Sequence, residues 1–255
     1  MAVLNEQLFM EVHHHSHTVG KKWTHYFWEF LMLFLAVLAG FFAENLREHY
    51  IEVKREKQYI QSLIADLKDD IRLLNEGMEF QSSKIKMMDS LIKFFNYPEI
   101  LKKDLNKFYY LARIGTRTRP FANNSRTYDQ LKSSGNFRLI TDLEVSNRIM
   151  SYYEGFPYLH QMEDIYYQEL DDYKMYAVRI FDPLSLIAFE NNDGIVNRHT
   201  EYPVVVNNDP TLMKQISVYA IYMKGSRRLI LEIENDIKRK SEELIKYLEQ
   251  RYHLI

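Results

Sequence analysis

The chain of 255 residues has no cysteine, 8 glycines, 6 prolines and 2 tryptophans. Without cysteine there are no disulfides, no thiolate metal sites and no cysteine nucleophile, and either a reducing or an oxidising compartment is compatible with the sequence. Scarce glycine and proline leave few places for tight turns, which favours long helices over a many-stranded fold. A dominant charge is missing too. The formal net charge is −2, so no global field points to nucleic acid. There is no Gly-rich phosphate loop, His-Glu-x-x-His, Gly-x-Ser-x-Gly or EF-hand spacing. The adjacent acids Asp69-Asp70 and Asp171-Asp172 diverge on a helix and make no catalytic dyad by themselves. The chain reads as a non-enzyme with no cofactor.

What is abundant is aromatic and periodic. The sequence holds 19 Tyr and 15 Phe, and its 255 residues could form one large domain or two small ones. From Glu29, steps of alternately three and four residues read Met32, Ala36, Ala39, Ala43, Leu46, Tyr50, Val53, Lys57 and Ile60. The same stepping continues through Ile64, Leu67, Ile71, Leu74, Met78, Gln81, Ile85, Met88, Ile92 and Phe95. Only Glu29, Lys57 and Gln81 interrupt its apolar character. Such a stripe predicts one continuous helix with a coiled-coil-like seam, roughly 100 Å long at 1.5 Å per residue.

Its first part predicts a membrane anchor. Phe30 to Ala43 carries no charge but covers only about 21 Å, short of a hydrocarbon core of about 30 Å. Adding Trp23, Tyr26, Phe27 and Trp28 completes the span and supplies an interfacial aromatic belt, with Lys21 and Lys22 outside it. Glu44-Asn45 follows the span where a signal peptide would need small residues, so the anchor is expected to stay uncleaved. The short leading tail suits a cytoplasmic N-terminus, whereas Arg47, Lys54, Arg55 and Lys57 after the span pull towards the reverse orientation. Within the span, Glu29, Ala36, Ala39 and Ala43 form a candidate seam. Small residues there allow helices to approach closely in lipid, and a carboxylate among them suits either the headgroup layer or an ion path.

Beyond Phe95 the pattern predicts a helix from Pro98 to Ile114, a basic loop from Gly115 to Asn124, and a helix from Ser125 to Ser133-Ser134-Gly135. A helix capped by Asp142 reaches Tyr153, and another runs from Phe156 to Val178. Phe181 to Asp209 reads as an irregular excursion in which the β-branched run Pro203 to Val206 pairs locally. A final long helix starts at Pro210, with the stripe Leu212, Ile216, Tyr219, Met223, Ser226, Ile230, Ile233, Ile237, Lys240, Leu244 and Tyr247 and a bend at Gly225. This helix is expected to pack antiparallel on the distal half of the first one, while the membrane-proximal half pairs between chains. The chain therefore divides into a His-containing tail (1–20), a transmembrane anchor (21–44), a helical stalk (45–97) and a helical bundle (98–255). The fold class is all-α.

Two clusters are candidate sites. Arg117, Arg119, Arg126 and Arg138 gather around the basic loop and the following turn, where guanidinium groups and free backbone N–H groups suit a phosphate or carboxylate. The bland alternative is that they fasten the loop to acids such as Asp129 and Asp142. His13, His14, His15 and His17 have the density to hold zinc, nickel or copper, but no acidic partner is arranged with them. The tyrosine pairs at 109–110, 152–153 and 166–167 read as core and interface residues.

The stretch from Lys21-Lys22-Trp23-Thr24-His25-Tyr26-Phe27-Trp28-Glu29 to Arg47-Glu48-His49-Tyr50 resembles an uncharacterised protein family of Bacteroidetes. So do the preceding Glu-Val-His-His-His segment and Tyr128-Asp129-Gln130-Leu131-Lys132-Ser133-Ser134-Gly135-Asn136-Phe137-Arg138-Leu139-Ile140. The resemblance implies a bacterial single-pass membrane protein and supplies no activity; with the short leading tail, the expected location is the inner membrane with the bundle in the periplasm. The expected role is a structural or accessory subunit of an envelope complex, a homo-oligomer in contact with lipid and envelope proteins and with no nucleic-acid partner. The alternatives are a sensor that binds a small anion and a single-span component of an ion-driven motor or channel.

Overall fold

The computed structural model describes residues 23–191, 193, 195–197, 203–205 and 207–254. Among these the protein is all-α, and the only extended pairings are the isolated antiparallel bridges Phe181–Val205 and Glu190–Val196. The chain divides into two units, Met1–Lys54 and Arg55–Ile255. Helix α1, Trp23–Asn96, begins in the first and ends in the second.

In the first unit α1 is long and apolar enough to cross a membrane, by length and composition, and none of its apolar window is buried. Trp23 stacks on Phe27 and Phe30 on Phe34, with ring centroids 6.3 and 6.1 Å apart, as side chains four residues apart on a helix do. Leu46, Tyr50 and Val53 remain 69%, 71% and 48% exposed.

In the second unit α1 is the spine. Helices α2 (Pro98–Lys103), α3 (Leu105–Ile114), α4 (Arg126–Ser133), α5 (Leu143–Tyr153), α6 (Phe156–Ala177), α7 (Pro183–Ala188) and α8 (Pro210–Arg251) complete the bundle. A 3-10 turn, Asn136–Leu139, joins α4 to α5. Antiparallel packing of α8 on α1 follows from a ladder of contacts. Tyr252 donates to Glu56 (2.5 Å), Ser241 to the Leu67 carbonyl (3.3 Å), Arg227 to Gln81 (2.8 Å), and Asn96 to Ser217 (2.6 Å).

The seam between these helices differs from the apolar stripes. On α1 the buried positions step Ile60, Leu63, Leu67, Asp70, Leu74, Gly77, Gln81, Lys84, Met88, Leu91 and Phe95. On α8 they step Ile216, Ala220, Met223, Arg227, Ile230, Glu234, Ile237, Ser241, Leu244 and Leu248. The three-four period is as expected, but every second position sits one residue away from the apolar reading. Ile71 and Met78 on α1, and Tyr219 and Ile233 on α8, are only half-buried beside it. Lys57, expected on the seam, is exposed, and Glu56 is buried in its place. The physical reason lies in the partners. Asp70, Lys84 and Arg227 each find hydrogen bonds in the interior, so the seam accepts them.

Other departures are local. The expected helix from Pro98 to Ile114 is split at Asp104, whose backbone is extended (φ −150°) and whose carboxylate caps α3 by accepting from the Lys107 N–H at 2.9 Å. The excursion after Phe181 contains α7, capped by Asp182. Helix α8 passes Gly225 without interruption. Gly135 adopts φ 67° just past α4, the left-handed stop for which glycine is suited. Aromatic packing closes the end of the unit. Phe108 lies 4.9 Å from Phe181 and 5.4 Å from Phe95, and Tyr109 stacks on Phe189 at 5.5 Å.

Helix α4 takes its cap from another helix. Ser125 stands at the N-cap position but donates to Asp129 (2.5 Å). The buried Asp66 of α1 accepts from the Thr127 backbone N–H (3.0 Å) and hydroxyl (2.5 Å) instead. Asp66→Ala is therefore expected to cost about 1–2 kcal/mol, the loss of a cap and of a buried acceptor, read as a lowered urea midpoint at unchanged slope.

Candidate functional site

The polar residues of the α1–α8 seam meet the basic loop between α3 and α4, and the loop is tied from four helices. Arg227 of α8, 2% exposed, donates to the carbonyls of Arg117 (2.5 Å) and Gly115 (3.5 Å), to Gln81 of α1 (2.8 Å) and to the Tyr166 hydroxyl of α6 (2.5 Å). Its guanidinium carbon lies 4.3 Å from the centre of the Tyr166 ring, a cation–π contact. The Tyr166 hydroxyl donates in turn to the Thr116 carbonyl (3.0 Å). Lys84 of α1 donates to the Ile114 carbonyl (2.9 Å). Glu163 of α6 accepts from the Phe121 N–H (2.8 Å), with His160 3.0 Å from its other oxygen. Asp70 of α1 accepts from the Asn124 N–H (2.6 Å) and from Tyr152 of α5 (2.9 Å). An irregular segment can lie this deep only because its backbone groups find such partners.

Two members of the layer carry unsatisfied atoms, Arg227 at its Nε and Glu234 at its carboxylate. Glu234 of α8 is 1% exposed and neither of its carboxyl oxygens has a hydrogen-bond partner. It lines a cavity of about 210 Å³ together with Leu73, Gly77, Arg119, Pro120, Phe121 and Ala122. Gly77 is what gives the carboxylate room, since a Cβ there would lie 2.9 Å from its Oε1.

Burial sets the electrostatics. It pushes the Glu234 carboxyl up to about 7, reinforced by the charge of Glu163 and offset by Gln81 and Arg119. Burial pushes Asp70 up to about 6 against the hydrogen bonds from Asn124 and Tyr152. Lys84 is lowered by burial and then by the nearby charges of Arg227 and Arg117. Arg227 is lowered by burial, with Tyr166 acting in the opposite direction, while burial raises Tyr166 to about 12.

The candidate arginines do not converge. Arg119 pairs with Glu76 (2.6 Å) and Arg126 with Asp66 (3.2 Å), two partners ten positions apart on α1, and neither Asp129 nor Asp142 receives them. Arg117 enters the network through its carbonyl while its side chain is exposed. Arg138 is exposed on the 3-10 turn. Of the membrane seam, Ala36, Ala39 and Ala43 are exposed on α1, and Glu29 pairs with His25 at 3.1 Å, four residues back on the same face. His13, His14, His15 and His17 lie outside the described residues. Among the described residues no group of three or more His, Asp or Glu is placed to hold a metal. Tyr109, Tyr152, Tyr153 and Tyr166 are core residues, as expected.

The apolar reading missed Arg227, Glu234, Gln81 as a bonding partner, and Lys84. The signal was present, because strict stepping from Met223, Ile230, Ile237 and Leu244 by four lands on Arg227, Glu234, Ser241 and Leu248. Comparison of the chain with protein-family models, curated proteins and solved structures returned no match.

Proposed function

We propose that the protein is a non-enzymatic, single-pass membrane protein of the bacterial inner membrane, with its bundle in the periplasm. It acts as a structural or accessory subunit of an envelope complex by associating with further copies of itself through α1. The observation that carries this reading is the row Leu46, Tyr50 and Val53. All three are exposed, and Leu46 and Val53 are in heptad register with Ile60, Leu67 and Leu74, which are buried further along the helix. Apolar side chains at heptad spacing next to a membrane-compatible segment are the pattern by which parallel helices pair. Glu44, Arg47, Glu48 and Arg55 flank the row and fit the charged borders of such a seam.

The absence of native cysteine makes the test clean, because every introduced thiol is unique. Single cysteines at Leu46, Tyr50 and Val53 are expected to form disulfide-linked dimers on mild oxidation in native membranes. Cysteines at Glu48 and Glu52, on the opposite face, should do so several-fold less. Equal crosslinking on both faces, or none on either, would contradict the reading. Labelling of the same thiols by a membrane-impermeant reagent in intact cells supports the periplasmic orientation, and labelling only after lysis reverses it.

A further inference from the structure

We propose that the cleft between α1, α8 and the loop at 119–122 binds a small organic molecule through a primary ammonium group seated on the Glu234 carboxylate. The inference rests on the cleft alone and stands whether or not α1 mediates self-association.

The geometry has a floor, walls and an entrance. Glu234 and Gly77 form the floor, both buried, and the cavity of about 210 Å³ is roomy enough for a molecule of a few heavy atoms. Leu73 and Phe121 supply apolar walls, while Arg119 and Pro120 are exposed at the rim. Buried carboxylates in folded proteins are paired or hydrogen-bonded, because an unpaired one forfeits its hydration without return. Both Glu234 oxygens are buried without a hydrogen-bond partner, and the residue borders the cavity. An ammonium group carries the three N–H donors and the charge that this site lacks, and a short aliphatic body fits the walls.

The charges facing Glu234 agree. Glu163 of α6, held by the Phe121 N–H and His160, adds negative potential, and the uncharged Gln81 amide of α1 partly offsets it through a side-chain interaction with Glu234. Arg119 stands at the rim, held to Glu76 through one nitrogen and with further donors to offer. A simple amine and a zwitterionic amino acid therefore share the Glu234 contact, and only the second uses Arg119. Since burial and Glu163 hold the Glu234 proton up to about 7, a cation must displace that proton, and affinity should rise from about pH 6 to about pH 8.

The test uses the full chain in detergent, titrated calorimetrically at about pH 8 with propylammonium chloride, with L-alanine and with tetramethylammonium chloride. Saturable binding of propylammonium or alanine is expected, with none of the tetramethylammonium ion, which has the charge but no N–H. Glu234→Gln, which keeps the shape and removes the charge, should weaken binding at least about tenfold, equivalent to about 1.4 kcal/mol. Gly77→Ala, which displaces the carboxylate without altering it, should also weaken binding and serves where Glu234→Gln perturbs folding. Alanine binding that Arg119→Gln weakens identifies a zwitterion as the ligand class, and propylammonium binding indifferent to Arg119→Gln identifies a simple amine. No saturable heat from either compound, or equal binding by wild type, Glu234→Gln and Gly77→Ala, overturns the proposal.

Discussion

Replacing Arg227 by alanine is expected to lower the stability of the bundle by about 3–5 kcal/mol, the range for removing one partner from a buried charged network. The side chain is 2% exposed, and its loss strands acceptors on three different elements: the Gln81 amide oxygen, the Tyr166 hydroxyl, and the carbonyls of Gly115 and Arg117. Each stranded buried acceptor costs about 1–3 kcal/mol if water does not reach it. Methionine in its place fills the volume but satisfies none of these groups, so Arg227→Met should recover only the packing share. Lysine offers a point charge in place of a planar fork and cannot reach four acceptors at once. Urea unfolding of the full chain in detergent, followed by far-ultraviolet circular dichroism, reads the loss directly. Trypsin reads its location, because Arg117 and Arg119 are exposed on the loop that Arg227 tethers. Cleavage there should accelerate in Arg227→Ala far more than in Asp66→Ala, which loosens the start of α4 beyond the loop. Equal cleavage rates in both variants would mean that Arg227 does not hold the loop.

That network also explains what the sequence disclosed and what it withheld. Composition and period were enough for the fold class. Sparse glycine and proline with two long three-four stripes leave little besides an antiparallel helical bundle, and α1 stops just before Pro98 while α8 starts at Pro210. The register of the seam was not legible, because hydrophobicity is the wrong guide where buried polar groups bond to a distant loop. Ile71 and Ile85 look like better core residues than Asp70 and Lys84. They lose the central position because the loop from Ile114 to Asn124 brings carbonyls and N–H groups that apolar side chains cannot satisfy. For the same reason the arginines clustered in sequence do not cluster in space. Arg119 and Arg126 lie on a loop that runs along α1, so each meets a different acid, Glu76 or Asp66. The aromatic excess was easier to read: Phe108, Tyr109 and Phe181 pack ring against ring because nothing else in the chain fills that much volume.

Lowering the pH from about 8 to about 5 is expected to stabilise the bundle by about 3 kcal/mol, opposite to the usual behaviour of paired carboxylates. The sign follows from two groups. Asp70 and Glu234 stand at about 6 and about 7 in the folded protein, against ordinary values of 3.8 and 4.5. Between those limits the folded state binds more protons than the unfolded chain, so stability falls as pH rises through the window of about 4 to 7. Each pKa unit corresponds to about 1.4 kcal/mol, and water entry around the ionised carboxylates reduces the sum to the few kcal/mol stated. Asp142, Glu76 and Asp236 are shifted the other way by Arg251, Arg119 and Lys240 respectively, and they sit near the surface, where solvent screens the effect. Denaturation midpoints at successive pH values separate the two contributions. Glu234→Gln should flatten the upper part of the curve, and Asp70→Asn, which keeps an acceptor for the Asn124 N–H, the lower part. Glu234→Gln should also be the more stable protein at pH 8, since it removes a buried charge that has no hydrogen-bond partner and keeps the shape that Gly77 accommodates. A curve that rises with pH, or one that neither substitution flattens, would mean that water already solvates both carboxylates, which would remove the electrostatic reason for a cation to enter the cleft.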